Sequence, residues 1–317
     1  MIIRPLLESG DLPLLLAPST ESDATADALQ KWLSTHSTKI DKLLQHHGAL
    51  LFRDFQIASP DTFRSIAQTL TGEIKAYVGG DSPRNRIVDK VYTSTEFPAD
   101  MEITLHNELT YSGWWPSRIM FWCKQAPASG GQTQIADARK VYQHIDESVR
   151  DRFENKGVRY VRSYHNEGGA GKTWQQAFET DNREEVEKFC ADTNMDCEWF
   201  DWGLRTLTFG PGVYTHPVTG EMAWINQADQ FHAEYNTPWA NDFSADDFDQ
   251  SQLPFHAYFG DGSAINVSDL DERRNVQRQF EVLFDWKEGD ILLLDNILTM
   301  HGRKPYSGAR EILVAMG

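Results

Sequence analysis

The chain has 317 residues, 40% apolar and 12% aromatic with ten tryptophans, which is enough for a substantial core and unlike a disordered segment. Thirty basic against 47 acidic side chains give a formal charge of −17, which repels phosphate backbones and anionic lipid surfaces. Nucleic-acid binding and membrane adhesion are therefore set aside, and the plain account of the charge is solubility.

The three cysteines, Cys123, Cys190 and Cys197, make no CxxC pair and read as reduced structural thiols of a cytoplasmic protein. The start, Met1-Ile-Ile-Arg-Pro, has no charged segment leading into a long apolar run, so no signal peptide is expected. No stretch approaches the roughly 18 apolar residues of a membrane span. Length alone allows one large domain or two. The lack of an internal repeat or low-complexity linker favours a single domain over residues 1–317.

In chain order, residues 20–47 have helical periodicity (Ala28-Leu29, Trp32-Leu33, Ile40, Leu43-Leu44), with Gly48 at the end. Residues 49–53 read as a buried strand, and Ser59-Pro60 starts a helix running to about Leu70. Residues 77–100 read as a loop followed by a short strand. An apolar strand at 103–106, a loop at 111–116 and a β-rich run at 118–123 follow. Gly130-Gly131 make a turn before a strand at 132–136, and Asp137 caps a helix through Val141, Ile145, Val149 and Phe153. Residues 163–200 are polar, with Gly168-Gly169-Ala-Gly171 and a helix at 182–190, and read as an insertion or lid. Those glycines lack the strand–GxGxxG–helix setting of a dinucleotide site. After Leu204 strands and loops alternate. An acidic segment (241–252), a charged helix (269–280), a turn at Glu288-Gly-Asp, a buried strand at 291–294 and a last strand at 311–315 complete the chain.

Chemistry is concentrated at Ile103-Thr-Leu-His106-Asn-Glu108, where an apolar strand runs into an imidazole and a carboxylate two residues apart. Side chains at i and i+2 leave the same face of an extended backbone, so the pair offers two ligands to one divalent metal. A second, distant His completes the 2-His-1-carboxylate face of non-haem Fe(II) oxygenases. Ten His and 47 acidic residues supply roughly one or two His-x-acid triplets by chance, and the chain holds four, so context must choose. His144-Ile-Asp146 falls in a predicted helix, where i and i+2 diverge by about 200°. His165-Asn-Glu167 runs into the glycine cluster. His232-Ala-Glu234 lies in a polar, helix-like run where substrate contact is an open role. Only His106-Asn-Glu108 is held between two strands, as a rigid metal site requires.

The distal ligand is read as His301, in the loop after the buried strand 291–294. Nine residues later Arg310 opens the last apolar strand, and its planar fork suits a carboxylate. A dicarboxylate cosubstrate could then chelate the metal at its keto-acid end and rest its far carboxylate on Arg310. Arg303, beside His301, is the rival for that carboxylate.

Taken together, His106-x-Glu108, Gly130-Gly131-Gln-Thr133-x-Ile135-Ala-Asp137, Gly289-Asp290-Ile291 through Asp295-Asn296, and His301-Gly-Arg-x-Pro-Tyr to Arg310 resemble the taurine dioxygenase-like family of Fe(II)/2-oxoglutarate oxygenases. The resemblance spans about Leu51 to the C-terminus and is nearest to the amino-acid β-hydroxylases of peptide natural-product pathways. It implies a mainly β fold with flanking helices around a double-stranded β-helix (jelly-roll, cupin-like) core. It also implies iron on His106, Glu108 and His301, 2-oxoglutarate on Thr133 with its C5 carboxylate on Arg310, and O2 as the second cosubstrate. Taurine dioxygenases carry Asp where this chain has Glu108. Family halogenases carry Ala or Gly there, so a carboxylate points to hydroxylation, with desaturation or a related C–H oxidation as other outcomes.

Substrate contacts are expected from segments facing the iron: Tyr77, Arg84 and Arg86, then Ser94-Thr95-Glu96, Asn107 and Arg303. Arg84 or Arg86 would pair with a substrate carboxylate. The expected substrate is an amino acid or a small molecule derived from one, free or tethered to a carrier protein. Alternatives are a catabolic dioxygenase of a sulfonate or aryloxy acid and a jelly roll that binds without catalysis, the latter at odds with a complete ligand set. A hydrolase is disfavoured because no G-x-S-x-G elbow is present.

Overall fold

A computed structural model describes residues 1–8, 10–77, 84–95, 97–167, 172–235 and 253–317. The expected glycine cluster at 168–171, the acidic segment 241–252, residues 78–83 and Glu96 lie outside the described residues.

The first strands are β1 (Ile2–Leu7), β2 (Gly10–Ala17), β3 (Ala49–Phe52), β4 (Arg86–Val88), β5 (Val91–Thr93) and β6 (Ile103–His106). Next come β7 (Arg118–Gln125), β8 (Ser129–Gly130), β9 (Ile135–Asp137), β10 (Val158–His165), β11 (Asp196–Phe200) and β12 (Gly203–Gly210). The last are β13 (Val213–Thr215), β14 (Met222–Trp224), β15 (Phe255–Phe259), β16 (Ile291–Asp295), β17 (Thr299–Arg303), β18 (Tyr306–Ser307) and β19 (Glu311–Met316).

Continuous apolar runs mark strands covered on both faces, and the large sheet, in the order β1-β2-β3-β16-β7-β19-β5-β4, is built that way. Alternate residues of its middle strands enter two different cores. Ala49, Leu51, Phe121, Leu292, Leu294 and Val314 face one, while Leu50, Phe52, Met120, Ile291, Leu293 and Leu313 face the other. The second core is closed by the helices Ala26–Thr35, Ser37–His47 and Pro60–Thr71 through Leu29, Leu33, Ile40, Leu44, Phe63 and Ile66. The first is closed by the smaller sheets β6-β17-β9, β13-β14 and β11-β12-β10-β15. Two facing sheets with helices packed outside make the double-stranded β-helix, or jelly roll. Each fully buried Leu or Ile stabilises it by about 1.5–3 kcal/mol relative to exposure.

Three local departures have physical causes. The helix expected over 20–47 is a 3-10 turn (Glu21–Ala24) and two helices that part at His36, whose ring stacks on Trp32 and whose Nδ1 bonds Trp32 O. The helix expected from Asp137 to Phe153 likewise divides, because Asp146 accepts from Ser148 N–H and caps a new helix, Glu147–Lys156. The N-terminal residues, for which no strand was expected, form the β1–β2 hairpin, and Leu14-Leu15-Leu16 pair in parallel with β3.

Within 163–200, the helices Trp174–Phe178 and Arg183–Asp192 cover a small core of their own, made by Tyr164, Trp174, Phe178, Val186, Cys190 and Leu204. No helix among the described residues is long and apolar enough to cross a membrane.

Candidate active site

β6 and β17 pair antiparallel with His106 directly opposite His301, and the two rings lie 4.4 Å apart. His301 thus stands within a strand, not in the loop the sequence suggested. Glu108 lies beyond the end of β6, in a turn that continues through Leu109 at φ 60°. Its Oε2 reaches within 3.5 Å of His301 Nε2. One ligand atom from each of His106, Glu108 and His301 falls within 4.8 Å of the others, the only such group of three among the described residues. Two imidazoles and one carboxylate on one side of a cavity suit a hard-to-borderline dication such as Fe(II).

Surrounding groups orient these ligands, as second-layer hydrogen bonds do at metal sites. His106 Nδ1 is 2.8 Å from Thr104 O, which turns Nε2 toward His301 and Glu108. Gln230 donates to Thr104 O and Oγ1 at 3.0 and 2.8 Å. Arg273, 1% exposed, donates to Leu105 O at 3.0 Å and pairs with Asp229 at 2.6 Å. Asn296, on the turn after β16, bonds both backbone groups of Glu108.

Burial, then neighbouring His301, pushes His106 down to about 3, so its imidazole is neutral and ready to ligate at neutral pH. Burial alone would raise the Glu108 carboxyl, but Arg84, followed by His301, overrides it and holds the group well below the usual carboxylate range.

The cavity that His106 and His301 face is lined further by Arg84, Ser94, Thr95, Ile103, Phe121, Thr133, Gly302, Arg303 and Arg310. Arg310 donates to Gly131 O at 3.1 Å and Ser94 Oγ at 3.3 Å, and no acidic side chain among the described residues pairs with it. Burial and the like charge of Arg303 lower it to about 10. Thr133 Oγ1 accepts from Trp286 Nε1 at 3.1 Å, leaving its hydroxyl proton free to donate into the cavity. These groups fit a dicarboxylate beside a metal.

Several expected substrate residues stand elsewhere. Arg303 lines the cavity, but its guanidinium donates to the carbonyls of Phe97, Pro98 and Met101 at 3.0, 2.6 and 2.8 Å. It fastens the chain before β6. Asn107 is 0% exposed and donates to the carbonyls of Asn296, Ile297 and Thr299, so it supports the turn and does not face the cavity. Arg86 is exposed on β4, at the edge of the large sheet. Thr95 and Arg84 do line the cavity, with Tyr77 stacked on Arg84 at 4.2 Å. Sequence reasoning missed Trp286, Phe121 and Arg273, since nothing local to those residues signals the site.

The other triplets lie outside the group of three ligands. Asp146 is a helix cap, His165 packs against Trp202 at 5.4 Å, and His232 Nδ1 accepts Glu234 N–H.

The family profile described as taurine catabolism dioxygenase TauD, TfdA family matches residues 10–316. The dapdiamide synthesis protein DdaC of Enterobacter agglomerans is 37% identical over 316 residues, which cover 99% of this chain and 93% of that protein. A clavaminate synthase-like protein of Arabidopsis thaliana is 28% identical, covering 98% and 94%. Among solved structures, PvcB, an Fe, alpha-ketoglutarate dependent oxygenase from an isonitrile synthetic pathway, superposes with a TM-score of 0.56 at 17% identity, over 99% and 90% of the two chains. AAD-2 in complex with Mn(II) and N-oxalylglycine gives 0.53 at 16% identity, over 99% and 96%, and these two likenesses show the fold.

Proposed function

The chain belongs to the TauD/TfdA dioxygenase family, and from that premise we propose that it hydroxylates, or otherwise oxidises, an unactivated C–H bond of an amino acid or amino-acid-derived small molecule in secondary metabolism. Membership makes it an Fe(II)/2-oxoglutarate-dependent oxygenase with a jelly-roll core. When bound, Fe(II) with 2-oxoglutarate and O2 supplies the oxidising power, the keto acid leaving as succinate and CO2.

In this reading His106, Glu108 and His301 hold the iron, leaving one face open for the cosubstrates. Arg310 takes the C5 carboxylate of 2-oxoglutarate, and Thr133, which lines the same cavity, donates to the cosubstrate. Phe121 and Ile103 line the cavity with apolar surface that excludes water from the reacting centre. The observation that carries the assignment is the register of β6 on β17, which sets His106 against His301 with Glu108 beside both. The carboxylate of Glu108 would occupy, with iron bound, the place that a halogenase leaves to chloride. The biosynthetic setting is supported by the 37% identity to a dapdiamide synthesis protein along nearly the whole chain.

Anaerobic Fe(II) with 2-oxoglutarate should give a weak visible charge-transfer band that His106→Ala lacks, and no band in the intact protein would refute the site. Succinate release is then measured with each L-amino acid and with taurine. Release with taurine alone would replace the biosynthetic reading by a catabolic one.

A further inference from the structure

Arg84 enters the site from the chain just before β4 and is as buried as the metal ligand it touches, 3% against 4% side-chain exposure for Glu108. Its Nη2 donates to both carboxylate oxygens of Glu108, at 3.0 and 2.9 Å, and its guanidinium carbon sits over the Tyr77 ring, 4.2 Å from its centre. Nε and Nη1 are buried as well, yet among the described residues neither has a hydrogen-bond partner. Buried donors of a charged group left without acceptors are strongly unfavourable, and a native site that keeps them has a place for the missing acceptor. Arg84 lines the same cavity as His106, His301 and Arg310, so an acceptor on those donors stands next to the metal.

Charge points the same way. A dication on the three ligands draws on the Glu108 charge that now balances Arg84. A 2-oxoglutarate dianion is matched by that metal and Arg310, while Arg303 faces three carbonyl dipoles. In the loaded site Arg84 and Arg303 are the cavity cations without a carboxylate, and of the two Arg84 has the more buried donors unmet. A buried guanidinium binds a carboxylate better than any neutral group, through charge and a planar fork together.

We propose that Arg84 anchors a free carboxylate of the substrate, so the enzyme acts on a carboxylate-bearing amino acid and not on one tethered through its only carboxyl group as a carrier thioester. This deepens the oxygenase reading above and rests on it. Arg84 is then a specificity-determining residue, shielded from solvent by Tyr77.

The test compares amino acids with their amides, which keep shape and lose the anion. Each L-amino acid and its C-terminal amide is given to the Fe(II)-loaded protein with saturating 2-oxoglutarate, and succinate release is followed. The active amino acid should exceed its amide by about 100-fold in kcat/KM. Arg84→Gln should raise the KM for that amino acid by about 100-fold while the KM for 2-oxoglutarate moves less than about threefold, and Arg84→Lys should recover part of the loss. The amide comparison uses the intact protein, so it decides even where a variant fails to fold. An amide turned over as well as its acid overturns the proposal, as do amino acids that all fail while the charge-transfer band forms. A rise of both KM values with loss of the band in Arg84→Gln also overturns it, since Arg84 would then only position Glu108. Absence of the band in the intact protein marks failure of the oxygenase reading itself.

Discussion

Asn296 holds Glu108 by both of its backbone groups: Oδ1 accepts from Glu108 N–H at 2.7 Å, and Nδ2 donates to Glu108 O at 3.0 Å. The same Nδ2 reaches Pro116 O at 2.9 Å, and Asn107 returns the grip by donating to Asn296 O at 2.7 Å. Glu108 has left its strand, so this clasp, and not strand geometry, keeps its carboxylate beside the two imidazoles. Asn296→Leu leaves three buried backbone groups without partners and should destabilise the metal-free protein by about 3 kcal/mol. Fe(II) affinity should fall roughly 10- to 100-fold. Urea denaturation and a metal titration measure both, and normal Fe(II) affinity would show that the clasp is dispensable.

How the ligands could be read from sequence explains what could not. The apolar runs at 49–52, 119–123 and 291–294 are strands buried on both faces, and no other element tolerates that pattern at such short length. His106 and His301 stood out because each adjoins one of these strands or its neighbour. The same-face argument for Glu108 pointed to a carboxylate that does lie beside both imidazoles, but by an incomplete route, since the chain turns at 108 and Asn296 supplies the order. Asn107 was misread, and Arg303 only half read, because polarity next to a metal ligand looks identical whether the side chain serves the cavity or backbone carbonyls. Arg273 is 168 residues from Leu105, and no spacing rule links them.

Acid should weaken the metal-free protein in a window set by His106. Its folded pKa is about 3, below the roughly 6.5 of an unfolded chain, so the unfolded state takes up the proton first as pH falls. The contribution of this group to stability is complete above about pH 6.5. It declines by up to about 1.4 kcal/mol per pH unit as pH falls toward 3. Glu108 is also depressed, but its contribution is lost only below about 4.3, so between about pH 4.3 and 6.5 the decline belongs to His106 and the two overlap only below that. In the presence of chelator, the stability difference between the intact protein and His106→Gln should narrow from pH 7 to pH 5. Parallel curves over that range would contradict the burial of a neutral imidazole.

Gly131 couples backbone conformation to the cosubstrate arginine. Its φ is 69°, and a Cβ there would stand 2.8 Å from Pro127 Cγ, 3.0 Å from Tyr306 Cβ and 3.2 Å from Arg310 Cδ. Its carbonyl also accepts from Arg310 Nε. Gly131→Ala therefore adds about 1–2 kcal/mol of left-handed strain and crowds Arg310. The KM for 2-oxoglutarate should rise roughly tenfold, about the effect of 1.4 kcal/mol, with the substrate KM little changed. An unaltered KM for 2-oxoglutarate would argue against Arg310 as the C5 carboxylate site.

Arg273 links a remote helix to the residue before His106. The helix Val267–Gln279 brings it into the core, where it pairs with Asp229 at 2.6 Å and donates to Leu105 O at 3.0 Å. Arg273→Met leaves the Leu105 carbonyl unbonded and Asp229 with only Arg274, whose Nε is 3.0 Å away. Breaking one side of a buried pair is strongly destabilising, and the surviving Arg274 contact places the loss near the low end, about 3 kcal/mol. Neutralising the orphaned carboxylate with Asp229→Asn in the same protein should recover part of that loss. β6 would also lose an anchor one residue from a metal ligand, so Fe(II) affinity should drop in the single variant. Urea denaturation of the intact protein, the single and the double variant decides the matter. A loss below about 1 kcal/mol for Arg273→Met would mean that Arg274 alone satisfies Asp229 and that Leu105 needs no support.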